Sequence, residues 1–197
     1  QAGVRRFVFV SSLKAQGEET QPGKPFFADD HPQPADPYGI SKLEAERALL
    51  RIAGQETMQV VIIRPPLIYG AGARGNMRTL MRALEKGIPL PLGAIHNQRS
   101  LAAVGNVVSL IETCMHHPVA ANQRFLVSDG KDVSTTELLR ATAQALGVRA
   151  RLVPLPDTWL ARAAKWAGKG GLAQRLCGNL QADITKTRTL LNWQPPV

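Results

Sequence analysis

Residues 4–11 read VRRFVFVS, residues 58–64 read MQVVIIR, and between them residues 37–54 read PYGISKLEAERALLRIAG. The two outer segments are apolar almost throughout, as expected of strands in a parallel sheet that is covered on both faces. The middle segment has apolar residues near helical spacing and stops at Gly54, which predicts a helix. Strand, helix and strand in this order form the βαβ unit of a doubly wound α/β fold with a parallel sheet.

The rest of the chain extends this pattern. Residues 13–36 contain four prolines and two glycines, which predict a loop. Apolar spacing predicts helices over residues 76–86 and 106–117, the second capped by Asn106, and a strand over residues 123–128. The run STTE at residues 134–137 is a capping box and predicts a helix that ends at Gly147. Three shorter helices follow, the last over residues 183–192.

Charge narrows the possible partners. The chain carries 24 Lys and Arg against 15 Asp and Glu, a formal net charge of +9, and a surplus of this sign is typical of nucleic-acid-binding proteins. The basic residues are scattered singly along the predicted helices, however, without dense runs or interleaved aromatic residues. We therefore expect a small anionic ligand, such as a nucleoside diphosphate, and no nucleic-acid partner.

Hydropathy and cysteine content predict a soluble cytoplasmic protein. No stretch reaches the roughly 18 uncharged apolar residues of a membrane-spanning helix. Residues 159–176, with Trp159, Trp166 and several basic residues, would suit a membrane surface, but we favour a helix of a substrate domain. Cys114 and Cys177 are too few for a disulfide framework and lack metal-ligand spacing, so we expect a reducing compartment, no metal and no membrane partner.

The residues that point to chemistry are Tyr38 and Lys42, with Ser11 and Ser12 at the end of the first strand. Tyrosine and lysine four apart stand on one helix face. Tyrosine ordinarily has a pKa of about 10 and is a poor base at neutral pH, but a neighbouring ammonium favours the phenolate. With a serine hydroxyl to hold the reacting oxygen, this arrangement suits acid and base catalysis of alcohol–carbonyl interconversion.

The order and spacing of these features resemble the extended short-chain dehydrogenase/reductases over residues 4–195. Within that family the chain is similar to the nucleotide-sugar epimerases and 4-keto-sugar reductases. The resemblance implies the later part of a Rossmann-type parallel sheet with a smaller mixed α/β substrate domain. Residues 1–70 would form the second half of the cofactor domain, and residues 71–197 mostly the substrate domain, with residues 105–128 returning to the Rossmann sheet.

The resemblance also implies roles for individual residues. Ser12 would hold the sugar oxygen, with Ser11 the less favoured serine. Tyr38 would be the catalytic base and acid, and Lys42 would bind the nicotinamide ribose and favour the phenolate, so that both residues contact the cofactor, NAD or NADP. Pro65, in the run IRPPLIYG at residues 63–70, would offer backbone contacts beneath the nicotinamide.

Two further residues resemble the family's ligands for a nucleoside-diphosphate sugar. Asn76 matches an asparagine that opens a substrate-domain helix and hydrogen-bonds the diphosphate, although it would also serve simply as a helix cap. Arg99 matches an arginine that pairs with the diphosphate, for which a planar donor fork is well suited.

Departures from the family pattern leave alternatives open. Leu67 stands where many epimerases have an asparagine that touches the substrate. Leu13 and Lys14 stand where the dehydratases have Asp and Glu, which disfavours elimination chemistry. We expect reversible hydride transfer at a ring carbon, C4, as in an epimerase. One-way 4-keto-sugar reduction and a non-catalytic dinucleotide-binding regulator are the alternatives.

The glycine-rich turn that binds the cofactor pyrophosphate is absent from this sequence, since no GxGxxG or GxxGxxG occurs and the glycine-rich residues 70–75 follow the catalytic helix. Because the chain begins with Gln1 almost directly before a strand, we expect that preceding residues are missing. The chain alone should then bind the dinucleotide poorly. Its first strand should pair with a removed N-terminal portion or with a second copy, as in a homodimer.

Overall fold

The computed structural model describes residues 3–55, 57–71, 76–166 and 170–197. The chain divides into two compact units. The first unit comprises Gln1–Gly70, Ser100–Lys131 and Leu180–Val197, and the second comprises Ala71–Arg99 and Asp132–Asn179. The first unit thus takes in the C-terminal segment as well, which the sequence did not indicate.

Strands and helices follow one another along the chain. The strands are β1 (Arg6–Val10), β2 (Gln59–Arg64), β3 (Leu67–Tyr69), β4 (Arg99–Ala103), β5 (Arg124–Leu126) and β6 (Asp132–Val133). The helices are α1 (Pro37–Gln55), α2 (Asn76–Glu85), α3 (Val104–His116), α4 (Thr135–Ala145), α5 (Asp157–Trp166), α6 (Gly170–Cys177) and α7 (Thr185–Leu191), with short 3-10 helices at Leu13–Ala15 and Pro118–Ala120.

The first unit is built on a parallel sheet with the strand order β1-β2-β5. Arg6 lies opposite Gln59 in the first pair, and Ile62 lies opposite Arg124 in the second. The four residues Val60–Ile63 of β2 are completely buried, because this strand is central and covered on both faces. The predicted strand, helix and parallel strand, and with them the α/β fold class, are confirmed.

Each unit has its own hydrophobic core. In the first unit, side chains of β2 and β5 pack with those of α3, α7 and the C-terminal segment, including Val61, Ile63, Phe125, Leu110, Leu191 and Trp193. In the second unit, α2 and α4 pack around Leu84, Leu92, Ile95, Leu139 and Ala143. The capping box of α4 is present, with the Ser134 hydroxyl accepting from the backbone of Glu137 and the Glu137 carboxylate from the backbone of Ser134.

The prediction that Asn106 caps α3 was wrong. The helix begins two residues earlier, with Ala103 as its N-cap, and Asn106 is fully buried inside it. Its amide nitrogen donates to Asp129 Oδ1 at 2.6 Å and to the Val197 carbonyl at 2.8 Å. The residue therefore ties α3 to two distant segments of the first unit.

Three short strands were not predicted from the sequence. β3, β4 and β6 have two to five residues, which is too short for an alternating pattern to stand out. β3 and β4 pair in parallel, with Leu67 opposite Leu101. Among the described residues, no helix has the length and apolar character needed to cross a membrane.

Candidate active site

The two serines after β1 have different surroundings. Ser11 is 4% exposed, and its hydroxyl donates to Glu46 Oε1 at 2.5 Å. Ser12 is half-buried, and its hydroxyl accepts from the backbone N–H of Lys14 at 3.2 Å, which caps the 3-10 helix. The Ser11 hydroxyl thus donates its proton to a buried carboxylate. The Ser12 hydroxyl acts as an acceptor in its bond to Lys14, which leaves its proton for donation to a ligand.

Tyr38 and Lys42 lie one turn apart on α1, at the carboxyl end of β1. The Lys42 ammonium donates to the carbonyl of Val10, the last residue of β1, at 3.2 Å. The same nitrogen lies 5.9 Å from the centre of the Tyr38 ring and 5.0 Å from that of Phe9. Tyr38 is 52% exposed and so accessible to a ligand. The structure thus brings the predicted pair together at the carboxyl end of β1, with the Lys42 ammonium over an exposed tyrosine ring, and the catalytic role of the pair stays a prediction.

The first turn of α1 packs closely on the segment that follows Ser12. A Cβ at Gly39 would overlap the carbonyl oxygen of Lys14, so only glycine fits there without displacement. The Lys14 ammonium bridges the carboxylates of Asp36 and Glu18, and Asp36 Oδ1 accepts from the Gly39 N–H at 2.6 Å. The glycine contact and the ion pairs together hold the start of the helix against the serine segment.

A buried polar network lies beneath these residues and was missed by the sequence analysis. Glu46 and Arg64 have side chains 1% exposed and form an ion pair at 2.5 Å. Glu46 accepts from Ser11 as well, and Arg64 also donates to the amide oxygen of Gln16. Two signals were available: Glu46 is four residues beyond Lys42 on the helix, and Arg64 is a charged residue in an otherwise apolar strand.

Pro65 directly follows β2 and is buried. Its carbonyl accepts the backbone N–H of Leu13 at 2.8 Å, which joins the carboxyl ends of β1 and β2. A carbonyl oxygen has two lone pairs and an ammonium has three N–H groups. Pro65 and Lys42 both lie at the carboxyl edge of the sheet, where open α/β folds bind their ligands, and their contact with a dinucleotide stays a prediction.

The second tyrosine of the chain has a different environment. Burial raises the pKa of Tyr69, and its hydrogen bond to the Asp129 carboxylate and the negative charge of that group raise it further. A phenolate at this position is disfavoured. Tyr38, in contrast, is 52% exposed and lies beside Lys42.

The residues predicted to bind a diphosphate belong to the second unit. Arg99 is half-buried, and its guanidinium donates to the Gly178 carbonyl at 2.8 Å. That carbonyl also accepts from the amide of Asn97 at 2.9 Å. Asn76 opens α2 as predicted, but its side chain lies outside the described part of the chain, as do residues 72–75 of the glycine-rich loop. The same unit contains a cleft of about 500 Å³ with His96, Asn97 and Asn179 among its lining residues.

Comparison with known proteins shows the family. Residues 1–128 match the model of the NAD dependent epimerase/dehydratase family. A UDP-glucose 4-epimerase from Vibrio cholerae is 49% identical over 196 residues, which are 99% of this chain and 60% of that protein. An N-acetyl-alpha-D-glucosaminyl-diphospho-ditrans,octacis-undecaprenol 4-epimerase from Escherichia coli O157:H7 is 27% identical over 95% of this chain and 60% of its own length.

Solved structures show the same fold. MoeE5 in complex with UDP-glucose and NAD aligns with a TM-score of 0.76 at 25% identity, over all of this chain and 62% of the other. A UDP-glucose 4-epimerase from Thermotoga maritima, solved with UDP-glucose, aligns with a TM-score of 0.74 at 22% identity, over 99% of this chain and 60% of that one. The chain thus spans about 60% of the length of the relatives it matches. On the family match and the parallel α/β sheet, it belongs to the NAD dependent epimerase/dehydratase family.

Proposed function

We propose that this chain carries the acid–base residues of an enzyme that interconverts nucleoside-diphosphate sugars epimeric at C4. The observation that supports this most is the position of the Lys42 ammonium. It is bonded to the end of β1 and lies 5.9 Å from the ring of an exposed tyrosine. The Vibrio cholerae and Escherichia coli relatives, both named as 4-epimerases of diphosphate-linked sugars, agree with it.

In the proposed reaction Tyr38, as phenolate, would take the proton of the C4 hydroxyl while the C4 hydrogen leaves as hydride, and it would return the proton when hydride is added to the opposite face of the C4 carbonyl. The Ser12 hydroxyl donates to the same sugar oxygen and orients it. NAD or NADP, when bound, supplies the hydride acceptor and donor. Lys42 would bind the nicotinamide ribose and stabilise the negative charge of the phenolate. The Pro65 backbone would line the nicotinamide end of the site. In the same proposal, Arg99 and Asn76 hold the diphosphate of the substrate.

The test replaces the phenol without changing its shape. Tyr38→Phe in the whole protein should lower turnover by about 10² or more and leave the affinity for the sugar nucleotide nearly unchanged, because only proton transfer is removed. Tyr69→Phe is the matched control and should keep its turnover, since that phenol is bonded to Asp129. Near-normal turnover of Tyr38→Phe would contradict the assignment.

Leu67 favours a second candidate, the one-way reduction of a 4-keto sugar nucleotide, since many epimerases have an asparagine there. The two reactions differ in their use of cofactor. An epimerase converts UDP-galactose to UDP-glucose without net consumption of added NADH or NADPH, whereas a reductase consumes one equivalent for each ketone reduced. Failure in both assays, together with retained dinucleotide binding, would favour a non-catalytic regulator.

A further inference from the structure

Two tryptophans of the second unit are exposed to solvent on one helix. Trp159 is 67% exposed and Trp166 is 97% exposed, whereas Trp193 in the first unit is 5% exposed. Both belong to α5 and are seven residues apart, which is close to two helical turns, so they project from the same side. Leu160 packs against the core of the second unit. The helix is therefore anchored through one side and presents large aromatic side chains on another.

The positive charge of the chain is concentrated in the same unit. Residues 71–99 and 132–179 contain 12 Lys and Arg and 4 Asp and Glu, which accounts for +8 of the formal net charge of +9. The first unit has 12 basic and 11 acidic residues and is close to neutral. On α5 itself, Arg162 is exposed between the two tryptophans.

Exposed tryptophan beside arginine suits the headgroup region of a lipid bilayer. The indole ring is amphipathic and is enriched where one side of a group meets hydrocarbon and the other meets water. Basic side chains are attracted to anionic lipids, and this attraction adds to the burial of apolar surface. A second copy of this unit is a less suitable occupant of the surface, since it would bring the same positive charge.

We propose that the exposed side of α5, comprising Trp159, Arg162 and Trp166, docks on the surface of a membrane that contains anionic phospholipids. The helix lies in the plane of the headgroups and does not cross the bilayer, in keeping with the absence of a helix long and apolar enough to do so in the described part of the chain. This proposal departs from the expectation of no membrane partner drawn from the sequence, but it agrees with a place for α5 in a substrate domain, because Leu160 packs against the core of the second unit.

The test measures binding of the whole protein to vesicles by flotation. Vesicles of phosphatidylcholine mixed with phosphatidylglycerol should bind at least about tenfold more tightly than vesicles of phosphatidylcholine alone, and added salt should weaken this binding. The tryptophan emission should shift to shorter wavelength, and Trp159 and Trp166 should provide the shift because Trp193 is already buried. Trp159→Ala/Trp166→Ala should lower the partition coefficient by about tenfold or more.

Matched control variants in the first unit distinguish binding through α5 from nonspecific binding to vesicles through other exposed side chains. Val108→Ala/Met115→Ala removes apolar groups that are 56% and 52% exposed on α3, and should leave vesicle binding unchanged. Arg162→Glu should weaken binding to anionic vesicles severalfold, whereas Arg51→Glu on α1 should not. Equal binding to both kinds of vesicle, or wild-type binding by the tryptophan variant, would overturn the proposal. So would loss of the tryptophan exposure in a concentration-dependent dimer, or tighter binding to duplex DNA than to anionic vesicles.

Discussion

At the scale of single residues, neighbouring side chains of the candidate site differ in their hydrogen bonds and burial. Ser11 and Ser12 are adjacent in the sequence, yet one hydroxyl is bonded to buried Glu46 and the other lies at the half-buried end of the strand. Local pattern does not distinguish the two adjacent serines, because their environments are set by a carboxylate 35 residues away, and Ser12 was favoured through the family resemblance alone. The proximity of Tyr38 and Lys42 was more readily predicted, since a spacing of four on a helix is a local property, whereas their roles stay predictions.

The buried pair of Glu46 and Arg64 makes a prediction about stability. Glu46→Leu should lower the free energy of unfolding by about 3–5 kcal/mol, because it leaves the Arg64 guanidinium buried without its carboxylate. The double variant Glu46→Leu/Arg64→Met should recover much of this loss, since both charges are then removed. Urea unfolding of the two single variants and the double variant provides the measurement, and additive losses would show that the two side chains are not coupled.

At the scale of elements, α1 was predicted almost to its ends. Its helical spacing and its stop near Gly54 are local signals, as is the capping box of α4. β3 and β6 escaped prediction because strands of two or three residues depend on pairing with distant segments and not on their own pattern. The prediction of Asn106 as a helix cap was wrong for a related reason. Its side chain forms hydrogen bonds to Asp129 and Val197, which are distant in the sequence, and does not cap α3.

The close approach of α1 to the serine segment can be tested with two glycines of the same helix. Gly39→Ala should destabilise the protein by about 1–3 kcal/mol and lower turnover, because a Cβ there overlaps the Lys14 carbonyl and displaces the first turn. Gly54→Ala meets no atom within 4 Å and should be neutral or stabilise by up to about 1 kcal/mol through helix propensity. Thermal unfolding and steady-state turnover of both variants decide the matter. Equal effects of the two would contradict a steric role for Gly39.

At the scale of the whole molecule, the candidate residues are divided between the units. Ser12, Tyr38, Lys42 and Pro65 belong to the first unit, and Asn76 and Arg99 belong to the second. The sheet at the centre of the first unit was predictable from its apolar strands. The return of residues 180–197 to that unit was not, since it rests on contacts such as the 2.9 Å bond from the Ser100 N–H to the Leu180 carbonyl, which joins segments far apart in the sequence.

This division predicts that binding and chemistry can be altered separately. Arg99→Ala should weaken sugar-nucleotide binding by about 1.5–3 kcal/mol, the range for a charge-assisted hydrogen bond, and leave turnover at saturation nearly unchanged. Arg99→Lys should restore part of the affinity, and Arg140→Ala on α4 serves as an exposed control. The Gly178 carbonyl keeps its bond from Asn97 in the variant, so a general loss of structure is not expected. If calorimetry shows that Arg99→Ala binds UDP with unchanged affinity, Arg99 does not bind the diphosphate and its role is structural.

The ion pairs of Lys14 with Glu18 and Asp36 restrict which residues can replace it during evolution. A descendant that acquired a dehydratase-like acidic pair at positions 13 and 14 would remove the ammonium that neutralises Glu18 and Asp36 and place a third carboxylate beside them. It would also place a charge at Leu13, which is completely buried. Both changes are costly until other residues compensate. We therefore expect that replacing Leu13 and Lys14 by Asp and Glu, without other changes, would destabilise this chain rather than convert the proposed carbonyl–alcohol chemistry to elimination.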